Sequence, residues 1–195
     1  YKRQRLNGLK PYQIAQLGVA RTFQSIRLYE KQSVLENVMM GHQIRTKANT
    51  LGVLLRDRRT RAAEQQIRED SFQLLQRMEL EQYAQATADS LPYAARRRLE
   101  IARALATDPF LLLLDEPAAG MNRQETEELE ELLVELRKEF QLTILLIEHD
   151  MRLVMKISDR IIVLDHGRKI AEGPPQEIRQ HPEVIRAYLG EQAIS

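Results

Sequence analysis

The chain contains no cysteine among its 195 residues. Disulfides, thiolate metal sites and a cysteine nucleophile are thereby excluded, and the absence suits a reducing compartment. Charge of one sign is missing too. Lys and Arg number 29 against 28 Asp and Glu, a formal net charge of +1, so no global field argues for nucleic acid or an acidic partner. No apolar run approaches the roughly 18–20 residues needed to span a bilayer. Tyr1, Lys2, Arg3, Gln4 and Arg5 lead into no apolar core, so no signal peptide is expected there. The first residue is not Met, and an internal start is expected, with processing as the alternative. Internal repeats and low-complexity segments are also lacking. The chain is expected to be soluble and cytoplasmic.

What is present fits one compact domain, or a domain with a small satellite. Hydrophobic residues at 43% and charged residues at 29% make an ordinary globular balance. Residues 18–24 (GVARTFQ) read as a short strand running into a polar loop at Gln24. Ser33 and Glu36 then have the spacing of a capping box, opening a helix with Val34, Leu35, Val38 and Met39 on one apolar face. Residues 61–80 carry Ile67, Phe72, Leu74, Leu75 and Met78 at helical spacing with charges opposite. This half reads as a helical satellite without a strand.

After Ser90 the pattern changes. Residues 110–114 (FLLLL) are continuously apolar, as in a strand buried on both faces of a parallel sheet. The leucines would suit a buried helix as well, but Pro109 and Pro117 bracket the run too tightly for one. Residues 124–140 form an amphipathic helix, acidic early and with Arg137 and Lys138 late, matching the helix dipole. Residues 142–147 are expected to be a second buried strand. Residues 160–173 read as two strands joined at Asp165, His166 and Gly167. Strand, helix, strand with short joins is the pattern of a parallel α/β core.

Asp115 and Glu116 stand at the carboxyl end of the first buried strand, the edge where open α/β sheets collect ligands. An Asp there can hold Mg²⁺ through water, while the adjacent Glu orients or deprotonates an attacking water. Taken alone, the pair is more simply two solvated carboxylates. The second strand ends in Glu148, His149 and Asp150. A histidine there can hydrogen-bond a terminal phosphate, or it can cap the next helix. Two adjacent strands that both end in polar residues are harder to dismiss. Upstream, Leu91, Pro92, Tyr93, Ala94 and Ala95 form a loop into a helix beginning at Arg96, whose N-terminus offers N–H groups to an anion. Arg96, Arg97 and Arg98 read by themselves as a solvated basic face.

The order of TFQ, LPYAARRRLEIARALA, LLLLDEP, AAGMN and LLIEHDM resembles the nucleotide-binding domain of ABC ATPases over essentially the whole chain. The resemblance implies an α/β, P-loop NTPase-like fold with a parallel core sheet and a helical subdomain. It divides the chain into residues 1–32 (residual core strand and Q-loop), 33–90 (helical subdomain), 91–175 (α/β core) and 176–195 (helical tail). It also implies that ATP is bound with Mg. Gln24 would be the Q-loop glutamine, touching Mg and the attacking water. Leu91, Pro92, Tyr93, Ala94 and Ala95 would be the signature loop that contacts ATP on a second ATPase subunit. Asp115 would be the Walker B metal aspartate and Glu116 the catalytic base. Residues 118–122, including Asn122, would form the D-loop at the dimer interface, and His149 would be the switch histidine.

ARTFQ, the long helical arm, DEPAAGMN, LLIEHDM and HPEVIRAYLGE together resemble the ATPases of branched-chain amino acid importers. Related systems carry other neutral amino acids, urea or short amides. The resemblance implies transmembrane permease subunits as partners, a periplasmic binding protein indirectly, no nucleic acid, and a peripheral place on the cytoplasmic face of the inner membrane. Two other readings stand beside it. A non-transport ABC ATPase of DNA repair or translation would call for a coiled-coil insertion, tandem cassettes or a basic face. A non-catalytic remnant would dock on a membrane partner without ATP-dependent dimerisation.

Two departures from the family matter. No G-x-x-x-x-G-K-[ST] loop occurs in the chain; by resemblance it would lie upstream of Tyr1, with its strand, its helix and the aromatic that stacks on adenine. Hydrogen bonds to charged groups contribute about 1.5–3 kcal/mol each, so three lost bonds imply on the order of 5 kcal/mol, about a thousandfold or more in affinity. The chain alone is therefore expected neither to bind ATP tightly nor to hydrolyse it, and to be marginally stable or sticky at an unpaired sheet edge. In the signature, Ala94 and Ala95 stand where the importer group shows Gly and Gln. A Cβ at Ala94 restricts the close backbone approach that glycine permits, so cross-subunit closure is expected to be weakened. In a version that includes the phosphate loop, Ala94→Gly should raise steady-state ATP turnover; unchanged turnover would count against a closure defect at this residue.

Overall fold

A computed structural model describes residues 5–43 and 58–189. Helix α1 (Pro11–Gln16) precedes strand β1 (Val19–Arg21), and helices α2 (Val34–Gln43) and α3 (Arg58–Arg77) follow. Helix α4 (Tyr93–Leu105), strand β2 (Leu111–Asp115), helix α5 (Arg123–Glu139) and strand β3 (Thr143–Ile147) build the core. Helix α6 (Met151–Ile157), the hairpin β4 (Ile161–Asp165) and β5 (Arg168–Gly173), and helix α7 (Pro175–Gln180) complete it. The three core strands run parallel in the order β1-β2-β3, with Ala20 opposite Leu112 and Leu113 opposite Leu145. Their carboxyl ends therefore share one edge.

Local chemistry explains the ends of the elements. Ser33 Oγ accepts the Glu36 amide at 3.1 Å, and Glu36 returns a carboxylate oxygen to the Ser33 amide at 2.7 Å. This is the expected capping box. The Ser33 bonds hold the Glu36 carboxyl below the usual carboxylate range. Asn122 and Glu125 form a second reciprocal pair at the start of α5. The hairpin turns at His166 and Gly167 with φ of +46° and +76°, the paired positive angles that match strand twist in a two-residue loop. Helix α3 ends at Arg77, three residues before the expected Leu80, and Phe72 on it is exposed while Leu74, Leu75 and Met78 are buried.

One continuous cluster joins Val34, Leu35 and Val38 of α2, Leu74 and Leu75 of α3, Leu99 and Ile101 of α4, Leu112 and Leu114 of β2, and Leu129 and Leu133 of α5. A second, smaller cluster lies under the hairpin, with Ile161, Val163, Ala171, Ile178 and Val184. The expectation of a second buried strand over residues 142–147 is corrected by β3, whereas β2 is buried or half-buried throughout. Leu112 and Leu114 are buried, and their partners Ile144 and Leu146 pack on the same cluster. On the other face Leu145 and Ile147 are 55% and 58% exposed. A continuous apolar run does not reveal that the helices among the described residues pack on one face of β3 only.

Helix α2 comes unusually close to α4. A Cβ on Gly41 would lie 2.5 Å from the Arg103 carbonyl oxygen and 2.7 Å from the Ala106 Cβ. Both are stiff neighbours, so the helices can approach this far only because residue 41 has no side chain. Gly41→Val should therefore lower unfolding stability by about 1–3 kcal/mol, the usual cost of overpacking, read as a lower urea midpoint with an unchanged slope; an unchanged midpoint would refute the tight crossing.

Candidate functional site

The three parallel strands deliver three of the expected residues to one place. Gln24 follows β1, Glu116 follows β2 and His149 follows β3. Gln24 Nε2 donates to Glu116 Oε2 at 3.0 Å. The other oxygen, Glu116 Oε1, lies 3.8 Å from His149 Nδ1. Asp115, the last residue of β2, accepts from Arg21 Nη2 at 3.1 Å. The 92 residues separating Gln24 from Glu116 are thus spanned by strand pairing, since Arg21 sits opposite Leu113.

The backbone at Glu116 is turned out of the strand, with φ of +46°. Such a conformation costs a non-glycine residue of order 1–3 kcal/mol and persists only where neighbours over-determine it. Here the Glu116 amide donates to the Ile147 carbonyl at 2.9 Å, locking the turn onto the end of β3. Glu148 adds a second lock. Its side chain is 2% exposed, and its two oxygens accept the Ala118 amide at 3.0 Å and the His149 amide at 3.2 Å. His149 itself is 72% exposed, free to meet a ligand arriving at the edge. It does not cap the following helix; the Asp150 side chain does, accepting from the Arg152 amide at 2.9 Å.

Residues 91–95 differ from expectation. Tyr93, Ala94 and Ala95 are the first turn of α4 and not a loop, with Pro92 as the residue before the helix. Proline's fixed φ suits a helix entry, and two alanines, the strongest helix formers, extend the helix backwards over the segment. Leu91 is buried in the main cluster, so only its backbone is available outward. Tyr93 connects the segment to residues 118–122: its ring lies 3.3 Å from where a Cβ on Gly120 would stand, and Gly120 has φ of +80°. Asn122 spends its side-chain oxygen on the Glu125 amide at 3.0 Å.

The expectation that Arg96, Arg97 and Arg98 form a solvated basic face fails at its centre. Arg97 is completely buried and paired with Glu100 at 3.1 Å. It also donates to the carbonyls of Phe23 at 2.8 Å and Gln24 at 3.0 Å. A signal was available in the spacing, because Arg97 stands in the i, i+4, i+8 row with Ile101 and Leu105. Its replacement of an apolar residue in that row marks a charge that must find buried partners. Arg21 beside Asp115 and the buried carboxylate of Glu148 were likewise not singled out by sequence.

Hard oxygen donors at this edge suit a small hard cation. The free Asp115 oxygen and the Gln24 amide oxygen fit such an ion, although Arg21 already neutralises part of the Asp115 charge. Among the described residues no three His, Cys, Asp or Glu side chains converge as a cage. An ion here would depend on further ligands from a phosphate and water.

Comparison with known proteins agrees with this geometry. A family model described as ABC transporter matches residues 2–119, and one described as Branched-chain amino acid ATP-binding cassette transporter matches residues 168–194. The chain is 48% identical over 188 residues to the high-affinity branched-chain amino acid transport ATP-binding protein LivG of Escherichia coli (strain K12), covering 96% of this chain and 74% of that protein. It is 44% identical to the corresponding protein BraF of Pseudomonas aeruginosa, covering 95% of this chain and 73% of that one. The fold superposes on the ADP conformation of MJ1267, an ATP-binding cassette of an ABC transporter, with a TM-score of 0.77 at 25% identity, covering 98% of this chain and 76% of that one. With a family model over more than half its length and relatives matched across nearly all of it, the chain belongs to the ABC transporter family of transport ATPases, among the ATP-binding proteins of its branched-chain amino acid group.

Proposed function

We propose that this chain supplies the hydrolytic edge of an ATP-driven importer for branched-chain or other neutral amino acids, with urea and short amides as related cargo. The observation that carries the reading is the meeting of Gln24, Glu116 and His149 beyond the parallel strand ends. The Gln24 amide holds one oxygen of Glu116 at 3.0 Å, and His149 stands near the other at 3.8 Å, so Glu116 faces the open edge as a base for a water. Glu116 takes a proton from that water while the water oxygen bonds to the terminal phosphorus of ATP, the bond from that phosphorus to its bridging oxygen breaks and ADP leaves with the electron pair; His149 hydrogen-bonds the oxygens of the phosphate in transfer. Gln24 orients the base through its Nε2, leaving its carbonyl oxygen for the metal side. Asp115 and Gln24 would hold Mg²⁺, which when bound neutralises phosphate charge.

Further partners follow from the same reading. Leu91, Pro92, Tyr93, Ala94, Ala95 and Asn122 would face a nucleotide held by a second ATPase subunit, identical or different. The loop after Gln24 would report to transmembrane permease subunits, and a periplasmic binding protein would act through them. No described helix is long and apolar enough to cross a membrane, and we place the protein peripherally on the cytoplasmic side of the inner membrane.

No phosphate-binding loop is written in these 195 residues, so hydrolysis at this edge requires one that they do not supply. Titrating the 195-residue chain with ATP in a calorimeter should give no micromolar binding; a micromolar dissociation constant would refute this dependence. Joining the amino-terminal segment of the LivG relative ahead of Tyr1 should restore turnover. In that version Glu116→Gln should reduce phosphate release by about 100-fold or more, the scale of general-base loss, with ATP binding retained. Steady-state turnover close to that of the unsubstituted protein would remove Glu116 from the role of base.

A further inference from the structure

Arg97 is among the largest side chains with no exposure at all, and Glu100, one turn on, is 2% exposed. Nη1 of Arg97 donates to the Phe23 carbonyl at 2.8 Å and to Glu100 Oε2 at 3.1 Å. Nη2 donates to the Gln24 carbonyl at 3.0 Å and to the Tyr93 hydroxyl at 3.3 Å. Nε has no acceptor. The remaining carboxylate oxygen of Glu100 accepts the Arg27 amide at 3.3 Å and, more weakly, the Phe23 amide at 3.5 Å. Two side chains of α4 thus take up two carbonyls and two amides from five consecutive residues of irregular backbone.

A buried ion pair is weak evidence for stability, since well-packed apolar residues usually do as well. What an apolar pair could not do is bind backbone on both sides of Gln24. Phe23 needs no help from Arg97 to seat its ring, because Arg21 and Arg27 flank it at 5.0 Å and 4.5 Å from its centroid. The fork of Arg97 is therefore left for the main chain, where its planar, fixed geometry sets the direction in which Gln24 leaves.

We propose that Arg97 and Glu100 are positioning residues that fix the backbone of residues 23–27, so that the Gln24 side chain reaches Glu116. Nη2 is shared between the Gln24 carbonyl and the Tyr93 hydroxyl, so a displacement at the first turn of α4 is transmitted to Gln24. The clamp thereby ties the segment assigned to the neighbouring nucleotide to the residue that orients the base. This role rests on the proposed hydrolytic reading of Gln24 and Glu116, whereas the clamp itself is a property of the chain alone.

The test uses Arg97→Lys, which keeps the charge beside Glu100 but loses the fork. Hydrogen exchange of the 195-residue chain should show the Phe23 and Arg27 amides exchanging at least tenfold faster, with α2 and the carboxyl half of α4 unchanged. Unaltered exchange at residues 23–27 would overturn the clamp, and so would faster exchange spread equally over α2 and α4 in a variant that still folds, which marks a merely structural group. If Arg97→Lys does not fold, Arg97→Met with Glu100→Leu keeps the interior filled, and the same amides are read. In the version extended with the LivG segment, Arg97→Lys should lower kcat at least tenfold with KM for ATP nearly unchanged. Full turnover despite loosened residues 23–27 would overturn positioning. Absence of turnover in the unsubstituted extended protein would refute the hydrolytic reading, while exchange still decides the clamp.

Discussion

A guanidinium taken wholly out of water must find acceptors for its donors or lose several kcal/mol of solvation, and Arg97 meets half of that demand from a loop and half from its own helix. Four of its bonds go to Phe23, Gln24, Tyr93 and Glu100. Residues 23–27 have no strand or helix partner of their own, so their polar backbone groups needed partners as much as Arg97 did. Each deficit satisfies the other. The result is a loop with a defined shape at a place where loops are ordinarily loose, and the orientation of Gln24 follows from it. The far end of the same loop is treated alike: Asn37, fully buried on α2, accepts the Tyr29 amide at 2.9 Å and donates to the Tyr29 carbonyl at 3.1 Å.

Helix α4 can serve as the anchor because it is held from several sides. Gly41 brings α2 against its carboxyl end, while Leu99, Ile101, Ala102 and Leu105 belong to the main cluster. A rigid helix carrying a buried charge pair transfers its own position to whatever the pair binds. The sheet contributes the complementary half. Parallel register fixes where β1, β2 and β3 end relative to one another, and so fixes the distances among Gln24, Glu116 and His149 without requiring contact between their elements elsewhere. Beyond the strand ends, the loop reaches the residue that follows β2 through the hydrogen bond between Gln24 and Glu116.

Much of this was legible from residues alone. The capping box of Ser33 and Glu36, the hairpin turn at His166 and Gly167, and the polar residues ending two strands are local or near-local features that carry their own chemistry. Burial of β3 was overestimated because an unbroken run such as residues 142–147 states hydrophobicity but not which faces are covered. The start of α4 was misplaced by three residues, since a proline followed by Tyr93 and two alanines suits a loop by analogy and a helix by propensity. Arg97 was missed for a deeper reason. Its two carbonyl partners lie 73 and 74 residues away, and a run of three arginines resembles a solvated face when only neighbours in sequence are considered. The apolar row it interrupts was the one local trace of its position.

These contacts close into a ring, which explains why residues so different in sequence position act on one edge. Gln24 is held to α4 by Arg97, and Arg97 touches Tyr93. Tyr93 leans on Gly120, where no side chain would fit without displacing its ring and where φ of +80° favours glycine in any case. Residues 118–122 are fastened to the end of β3 by the buried carboxylate of Glu148 through the Ala118 amide, and the same carboxylate takes the amide of His149. His149 stands beside Glu116, which returns to Gln24. Residues 23–27 and 118–122 are thus fixed in part by side chains from another element, Arg97 and Glu100 for the first and Glu148 for the second. In such an arrangement a push at one link has only stiff neighbours to move against, because packed interiors yield by discrete rearrangement more readily than by gradual deformation. An edge built this way is suited to pass the arrival or loss of a ligand at Tyr93 or His149 on to Gln24 as a change of position.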